Sequence, residues 1–464
     1  MIFRLALRSL ATRPIRTAVL ACGFGFGIAI MAALLGVGEV ILEQAHSPAL
    51  AGGGDVVIGG RFGSLDSARF LMSSVLGSPD FSRRAAVVSP SKSSTLYLIK
   101  NDTAIPVSVR AGIPSLEHAI GDPEIAGAAD WTDTDGDRAW AHPAPGDTLR
   151  LMDRFHPIPD TPEFSASWAE WLYFNGRTSD GRLRFYLTFL VGPASPTPGR
   201  RVAGVRLQFE RDGQTTNYSG AGEVGEAAVI AMAPDLEIAG NRVTLNGLRY
   251  QIDLALPGAA GQLTLDAAPG QSLPPATIRG ARGWLTGYTA PALSGVVNGA
   301  LTIGRDRIVF DRAAGYHDHN WGFWEGVRWQ WGQVAHDDVS IVYGRVFPPA
   351  DVADPDRMPG FLGVLSAKGP LGFSTSVTIQ ETSEGSSAPT GLLVHARSQS
   401  TDINLNFTAE ESVRTRMGMT ASSRLPGPAL DFLQLRGEYR VIGHIGDLKL
   451  DFAAKGAAET FRPR

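Results

Sequence analysis

Residues 315–325, with the sequence GYHDHNWGFWE, hold the densest group of side chains in this chain that could do chemistry. If residues 316–321 form a strand, successive side chains point to opposite faces of its sheet. One face then carries Tyr316, Asp318 and Asn320. The other face carries His317, His319 and Trp321. An aspartate that points into an aromatic-walled barrel loses solvation, which favours its protonated form and makes it a general acid near neutral pH.

Three interpretations of this group remain open. The first treats the aromatic rings as core, with a turn over residues 322–327 that brings residues 329–336 back alongside the strand and lets the polar side chains satisfy one another. The second is a metal site formed by His317, His319 and His336, but no acidic ligand is fixed and the spacing matches no zinc pattern, so no metal is expected. The third is an acid in a hydrophobic pocket.

A second group lies earlier in the chain, at residues 152–157 (MDRFHP) and 168–176 (WAEWLYFNG). Aromatic residues at both odd and even positions of 168–176 indicate a strand that is buried on both faces, with Glu170 and Asn175 near its ends. No nucleophile and base pair lies nearby. The pattern therefore favours a structural role, as the entry strand that closes a barrel.

The elements that position both groups are mostly strands. From about residue 149, short alternating segments are separated by Asp-Gly and Asn-Gly turns, which is typical of antiparallel sandwiches or barrels. Residues 227–231 are among the predicted strands. The series divides into halves of similar length, 147–294 and 295–464. We therefore predict a mainly β protein with two consecutive antiparallel β domains.

A small α+β domain is expected before them, over residues 52–146. Its predicted strands are 94–100 and 105–110, and its predicted helices are 65–76 and 114–120. The polar composition of residues 131–145 predicts a linker. Within it, residues 133–137 (DTDGD) begin like a calcium loop but lack the glutamate at the twelfth position, so we interpret them as a turn.

Residues 17–38 carry no charge, and 22 residues of helix span about 33 Å, close to the hydrocarbon thickness of a bilayer. Four arginines precede this run and the first acid follows it, which places residues 1–16 in the cytoplasm. We predict a single transmembrane helix over 17–42 and an extracytoplasmic body in the inner membrane of a bacterium. A cleaved signal peptide is the alternative, but its apolar core is usually only about 7–15 residues long.

Composition limits the partners. The chain has 464 residues and a net charge of -4. Residues 1–16 contain four basic residues and no acidic residue, so the rest of the chain is more acidic than the whole. Nucleic acid is therefore not an expected partner. The only cysteine, Cys22, lies in the apolar run, so no disulfide forms within the chain. No dinucleotide or phosphate loop is present, and no cofactor is expected.

Residues 170–176 (EWLYFNG) and 315–322 (GYHDHNWG) resemble the two signatures of the AttH-like and carotenoid 1,2-hydratase (hydroxyneurosporene synthase) superfamily. The resemblance covers about residue 147 to the end and implies two lipocalin-like domains. Members include hydratases that add water to an isolated carbon–carbon double bond and fungal relatives that steer polyene cyclisations. It implies that Asp318 protonates an alkene, that Tyr316 orients the acid, and that water captures the cation.

Two main hypotheses follow. The first is a binding module for a hydrophobic, lipid or isoprenoid-like ligand, because the hydratases' further His-x-Trp element is not matched, the nearest tryptophan, Trp284, being preceded by Arg282. The second is a hydratase or cyclase with the same apolar cavity. A structural role without a ligand is a third possibility. The expected ligand contacts are His317, His319, Asn320, Trp321, Trp324, Trp329, Trp331, Trp171 and Tyr173.

The first 130 or so residues resemble a different family. The basic start, the apolar run and the following Gly-Gly-Gly-Asp at 52–55 are similar to the beginning of an FtsX-type or MacB-type ABC transporter permease. The later membrane helices of a permease are missing. This resemblance implies a membrane location and partnership with ABC permease and ATPase subunits.

Overall fold

The computed structural model describes residues 15, 56–58, 68, 72, 87–100, 103–121, 130–141, 144–367, 369–383, 388–398, 400–416 and 430–463. The predicted transmembrane helix, 17–42, lies outside the described residues. Of residues 1–16 only Ile15 is described, and most of the predicted helix 65–76 also lies outside the described residues. In the part of the chain that is described, no helix is long and apolar enough to cross a bilayer. The chain divides into two compact units, of which the first includes residues 87–138 and the second residues 139–464.

The first unit contains an antiparallel hairpin and short helices, as expected for an α+β domain. Strands β1 (Ser91–Lys100) and β2 (Thr103–Gly112) pair along their full length, and helix α1 (Pro114–Ala119) follows. The linker predicted over 131–145 is wrong in part, because it contains helix α2 (Asp135–Ala141). A reciprocal cap starts this helix: Thr134 Oγ1 accepts from the Asp137 amide at 3.1 Å, and Asp137 Oδ2 accepts from the Thr134 amide at 2.8 Å.

The second unit opens with helix α3 (Pro145–Met152) and continues into an antiparallel sheet with eleven strands among the described residues. These strands are β3 (Trp168–Arg177), β4 (Leu183–Ala194), β5 (Arg200–Arg211), β6 (Gln214–Gly225), β7 (Leu236–Ile238), β8 (Asn241–Asn246), β9 (Arg249–Leu256), β10 (Ala259–Ala267), β11 (Leu273–Arg279), β12 (Leu285–Ile303) and β13 (Asp306–Phe323). Their order is β6-β5-β4-β3-β13-β12-β10-β9-β8-β7, with β11 also paired to β12. Because β6 and β7 at the two ends are in contact, the sheet forms a nearly closed barrel.

A second antiparallel sheet, with nine strands in the described part of the chain, follows directly. These strands are β14 (Arg328–His336), β15 (Val339–Phe347), β16 (Phe361–Ser366), β17 (Gly369–Ser374), β18 (Ser376–Thr382), β19 (Gly391–Arg397), β20 (Thr401–Arg416), β21 (Leu430–Ile445) and β22 (Leu448–Pro463). Their order is β17-β16-β15-β14-β22-β21-β20-β19-β18, and contacts between β16 and β18 bring the two ends together into a second nearly closed barrel. The predicted mainly β class with two successive barrels is therefore confirmed.

The interiors of both barrels are filled with side chains. Leu172, Phe174, Leu187 and other apolar residues form the core of the first barrel, and Leu405, Leu433, Val441 and their neighbours form that of the second. A ligand therefore has to bind outside the barrel interiors.

The boundary between the two barrels differs from the predicted one at 294/295. Strand β12 runs through that point, and β13 also belongs to the first barrel, so the chain changes sheets at residues 324–327. The predicted return of residues 329–336 alongside residues 316–321 is wrong as well. Both edges of β13 are already paired, with β3 and β12, so β14 pairs with β15 and β22 instead.

One predicted strand is a helix. Residues 227–231 lie in α4 (Glu226–Met232), whose sequence EAAVIAM is rich in good helix formers. A short apolar run cannot be assigned to strand or helix by periodicity alone. Here Val229 is the buried residue of the helix, packed against the core of the first barrel.

Candidate functional site

A cavity of about 670 Å³ lies between the two barrels. Its wall is mainly aromatic and aliphatic, and each barrel supplies part of it. The first barrel contributes Trp171, Tyr173, Tyr186, Leu190, Tyr288, Asp318 and Asn320. The second contributes Trp329, Trp331, Phe361, Phe373, Phe432 and Glu459, and Trp324 lies on the segment that joins the barrels. The volume and the apolar wall suit a small hydrophobic molecule.

The register of two neighbouring strands explains how the two sequence motifs meet at this cavity. Strand β13 pairs with β3 so that Asp318 lies opposite Tyr173 and Asn320 lies opposite Trp171. Tyr288 on β12 lies opposite Asn320 on the other side. Because directly opposed side chains point to the same face of a sheet, this set faces the cavity together. The alternation predicted for residues 316–321 is confirmed, although the face with Asp318 looks outward from its barrel and not into the interior.

Two hydrogen-bond donors contact the Asp318 carboxyl directly, and two further donors extend one of these contacts into a chain. The Tyr316 hydroxyl donates to Asp318 Oδ2 at 2.8 Å, and Asn320 Nδ2 donates to Oδ1 at 2.8 Å. The Tyr288 and Tyr316 hydroxyls are 2.8 Å apart, and Trp331 Nε1 donates to the Tyr288 hydroxyl at 3.1 Å. Since Tyr316 donates to Asp318, Tyr288 donates to Tyr316. Each donor is thus oriented to stabilise negative charge on Asp318.

The buried position of Asp318 favours the protonated form of its carboxyl group. Its side chain is buried, and burial raises the pKa of this carboxyl well above the usual value of aspartate. The negative charge of Glu459 raises this pKa further, while the hydrogen bonds from Tyr316 and Asn320 lower it. The net effect favours the neutral carboxylic acid, with donors in place to stabilise the carboxylate once the proton has left.

Glu459 on β22 is a second carboxyl group in the same cavity. Its Oε2 accepts a hydrogen bond from Trp329 Nε1 at 3.1 Å. Burial raises the pKa of Glu459 to about 7, against the opposing hydrogen bonds from Trp329 and Gln434. Sequence reasoning missed this residue. It stands alone among alanines near the end of the chain, and no local pattern marks it.

The opposite face of β13 does not line the cavity, which corrects the expectation that His317, His319 and Trp321 contact a ligand there. His317 stacks on Phe174 with 4.1 Å between ring centres, and its Nε2 lies 3.0 Å from Asp153 Oδ2. Its Nδ1 lies 3.0 Å from the Tyr173 carbonyl oxygen. Both ring nitrogens therefore have hydrogen-bond partners inside the barrel.

His319 has a similar environment. Its Nε2 lies 3.0 Å from Glu170 Oε1 and its Nδ1 lies 3.2 Å from the Met152 carbonyl oxygen. His156 Nδ1 also approaches Glu170 Oε1, at 2.7 Å, and Trp321 stacks on the His156 ring. Although burial opposes ionisation of Glu170, the hydrogen bonds from His156 and His319 lower its pKa. This interior cluster links the two sequence motifs and accounts for their histidines.

Three possible metal ligands lie close together in this interior cluster. Among the described residues, His156, Glu170 and His319 bring three possible ligand atoms within 4.8 Å of one another. Both nitrogens of His319 already lie within hydrogen-bond distance of protein oxygens, Glu170 Oε1 and the Met152 carbonyl. His336, a ligand in the predicted alternative, instead stacks on Phe452 in the second barrel. These contacts are those of a hydrogen-bonded core.

The remaining predicted contacts do reach the cavity. Asn320, Trp324, Trp329, Trp331, Trp171 and Tyr173 all line it. Trp324 is anchored through Nε1, which donates to the Ala169 carbonyl oxygen at 3.0 Å. Trp171 and Trp324 pack with 4.7 Å between ring centres, and Trp329 contacts Trp324 edge to face. Three tryptophans thus form a continuous aromatic wall.

Comparisons with known proteins give only distant structural neighbours. No family matches the sequence, and no curated protein does. An AttH-like protein from Nitrosomonas europaea is 15% identical with a TM-score of 0.42, covering 66% of this chain and 99% of the other. Kievitone hydratase from Nectria haematococca is 13% identical with a TM-score of 0.42, covering 66% and 93%. CghA with Sch210972 is 12% identical with a TM-score of 0.46, covering 70% and 96%. At these values the comparisons do not assign the chain to a family.

Proposed function

We propose that this protein is an acid catalyst that protonates a carbon–carbon double bond of an apolar, isoprenoid-like or polyene substrate, as a hydratase or cyclase does. One observation supports this proposal above all: the Asp318 carboxyl faces an apolar cavity between the barrels, and its burial there favours the protonated form. A pure binding module has no use for a buried acid, because burying a polar group in a hydrophobic site weakens the binding of an apolar ligand.

The geometry supports a simple sequence of events. The substrate lies against the tryptophan wall with one double bond at Asp318, which gives its proton to an alkene carbon. The hydrogen bonds from Tyr316 and Asn320 stabilise the aspartate that results. The faces of Tyr173, Trp329 and Trp331 stabilise the carbocation through their π electrons. Capture by water gives an alcohol, and capture by a second double bond of the substrate gives a ring.

The substrate class can be tested directly. Purified protein is incubated with farnesol, geranylgeraniol, squalene and lycopene, and the products are analysed by mass spectrometry for addition of water or for cyclised isomers. We expect turnover of at least one alkene by the unchanged protein. Asp318→Asn should abolish turnover and leave binding of that alkene intact, because asparagine keeps the shape and the hydrogen-bonding atoms but carries no acidic proton.

The Tyr316→Phe variant separates positioning from acidity. It keeps the acid but removes one donor, so we expect turnover to fall by roughly 10- to 100-fold, less than for loss of the acid itself. The matched control is Tyr97→Phe, since Tyr97 is an exposed residue of the hairpin in the first unit. Turnover by Asp318→Asn at the unchanged rate contradicts the proposal. So does binding of these alkenes without any product, which identifies a binding protein.

The location of this activity is a further part of the proposal. The sequence of residues 1–42 supports anchoring in the inner membrane, with the barrels outside the cytoplasm and ABC transporter subunits as partners. Fractionation of cells that express the full chain, followed by crosslinking and mass spectrometry, tests this. Recovery of the protein in the soluble fraction, or crosslinks to no transporter subunit, contradicts it.

A further inference from the structure

The second barrel places Glu459 on the far wall of the cavity that holds Asp318. On β14, Trp331 lies opposite Glu459 in the strand register, and the same Trp331 donates to Tyr288 in the donor chain of Asp318. The neighbouring tryptophan, Trp329, fixes Glu459 through one carboxyl oxygen. The two carboxyl groups come from different barrels but line one cavity, and the register of β14 with β22 places Glu459 opposite Trp331, the most distant donor of the Asp318 chain.

Glu459 differs from Asp318 in its access to the cavity. Asp318 is buried, with 7% of its surface exposed, and both of its oxygens accept hydrogen bonds from protein donors. Glu459 is half-buried, and its open surface faces the cavity. A water molecule beside the substrate can therefore reach Glu459 more easily than it can reach Asp318.

We propose that Glu459 is the catalytic base that takes a proton from the water molecule which captures the carbocation. This assignment rests on the function proposed above and adds a second catalytic residue to it. Its consequence is that the reaction is a hydration, with acid and base supplied by different barrels.

The proposed hydration forms two new bonds and moves two protons. The π electrons of the alkene form a C–H bond with the proton of Asp318, and the electron pair of that O–H bond remains on Asp318 as a carboxylate. The water oxygen forms a C–O bond with the cationic carbon, and one water proton passes to Glu459. The product is the alcohol, with one water added and no redox change. Exchange with solvent returns the proton from Glu459 to Asp318 after the product leaves.

The electrostatics of the cavity agree with these roles. The pKa of Glu459 is raised to about 7, so at neutral pH a large fraction is the carboxylate that a base must be. Burial also raises the pKa of Asp318 well above its usual value, which favours the acid form of this carboxyl. The other titratable groups coupled to this pair include the hydroxyls of Tyr173, Tyr288 and Tyr316, whose pKa values burial raises, so they stay neutral. The charge of Asp153 also raises the pKa of Asp318. Two carboxyl groups that face one cavity from different environments are a pattern typical of an acid and a base acting together.

The experiment compares Glu459→Gln with the unchanged protein in D₂O, using whichever alkene of the panel above is turned over. Two products are measured by mass spectrometry: the alcohol, and deuterium in the recovered alkene. We expect Glu459→Gln to form the alcohol roughly 10²- to 10⁴-fold more slowly and still to place deuterium in the alkene. Asp318→Asn should lose both. The control is Glu438→Gln, which changes an exposed glutamate on the adjoining strand β21 and should alter neither.

Two outcomes overturn the assignment while the proposed function stands. The first is unchanged alcohol formation by Glu459→Gln. The second is loss of both alcohol formation and deuterium exchange in Glu459→Gln, when its circular dichroism and thermal unfolding match those of the unchanged protein. If Glu459→Gln does not fold, Glu459→Asp takes its place, and an unchanged rate of alcohol formation at every pH overturns the assignment. Absence of both products from the unchanged protein overturns the proposed function, and this assignment with it.

Discussion

Asp318 on β13 and Glu459 on β22 lie on different barrels and are separated by well over a hundred residues, yet their carboxyl groups face the same cavity. Each is held by donors from its own side, Asp318 by Tyr316 and Asn320, and Glu459 by Trp329. Neither barrel alone contains both groups. The arrangement of the barrels therefore determines whether a complete site exists.

The first prediction concerns stability. Since the folded pKa of Asp318 lies well above its ordinary value, the folded state keeps the proton to higher pH than the unfolded state does. This difference favours the unfolded state increasingly as pH rises above the unfolded pKa of about 4. Asp318→Asn has no such proton to lose.

We therefore expect Asp318→Asn to raise the thermal midpoint at pH 7 while it abolishes turnover, and to have little effect on the midpoint near pH 4. Differential scanning calorimetry at the two pH values measures this. A lower midpoint at pH 7 than the unchanged protein would show that Asp318 is ionised in the folded state.

The second prediction concerns the pH dependence of kcat/KM. If Glu459 must be ionised and Asp318 protonated, the rate rises with pH through about 7 and falls at higher pH. The hydrogen bond from Trp329 lowers the pKa of Glu459, so Trp329→Phe should move the rising limb to higher pH. Trp324→Phe is the control, because Trp324 lines the same cavity but donates to the Ala169 carbonyl oxygen. A rising limb that stays in place in Trp329→Phe argues against Glu459 as its source.

The third prediction tests the interior cluster. His317 and Asp153 are fully buried, and the Tyr250 hydroxyl donates to Asp153 Oδ2 at 2.6 Å. Removing one partner of this buried hydrogen-bonded pair leaves the other unsatisfied and opens a cavity, which together cost roughly 3–5 kcal/mol. His317→Ala should therefore reduce the free energy of unfolding, measured by urea denaturation, by about that amount. His395→Ala removes an exposed histidine from its pair with Asp402 and should have little effect. Similar stability of the two variants would contradict a structural role for His317.

The fourth prediction concerns the contact between the barrels. Arg436 of the second barrel is buried against Glu210 of the first, and its Nε donates to the Tyr186 hydroxyl at 2.7 Å. Gln208 and Gln434 also join across the barrels, with 3.2 Å between Nε2 and Oε1, and Gln434 donates to Glu459. Loss of Arg436 leaves the buried Glu210 with the longer contact to Arg184, at 3.9 Å, and loosens the contact between the barrels.

We expect Arg436→Met to lower kcat/KM by at least tenfold and to lower the free energy of unfolding by roughly 3–5 kcal/mol. Enzyme kinetics and urea denaturation measure the two effects. Arg440→Met is the control, because Arg440 lies on the same strand and pairs with Asp451 at the exposed surface. If Arg436→Met loses no activity, the two barrels do not need this contact to form the site.

The amino-acid sequence by itself determined which side chains share a face. Because side chains alternate along any strand, the separation of Tyr316, Asp318 and Asn320 from His317, His319 and Trp321 follows from their positions once a strand is assumed. Aromatic residues at both parities of 168–176 likewise predicted a strand covered on both sides, and β3 is covered by the barrel core on one face and lines the cavity on the other. These are local properties, set by neighbours in the chain.

Only the tertiary structure decided what each face meets. The sequence does not state that β13 pairs with β3, that its Asp318 face looks out between two barrels, or that β14 crosses to another sheet. The partners of a strand depend on edges that distant segments leave free. Glu459 shows the same limit most clearly: it follows Asp318 by well over a hundred residues and has no motif of its own. Its place beside the acid results from the closure of the second barrel and its packing against the first.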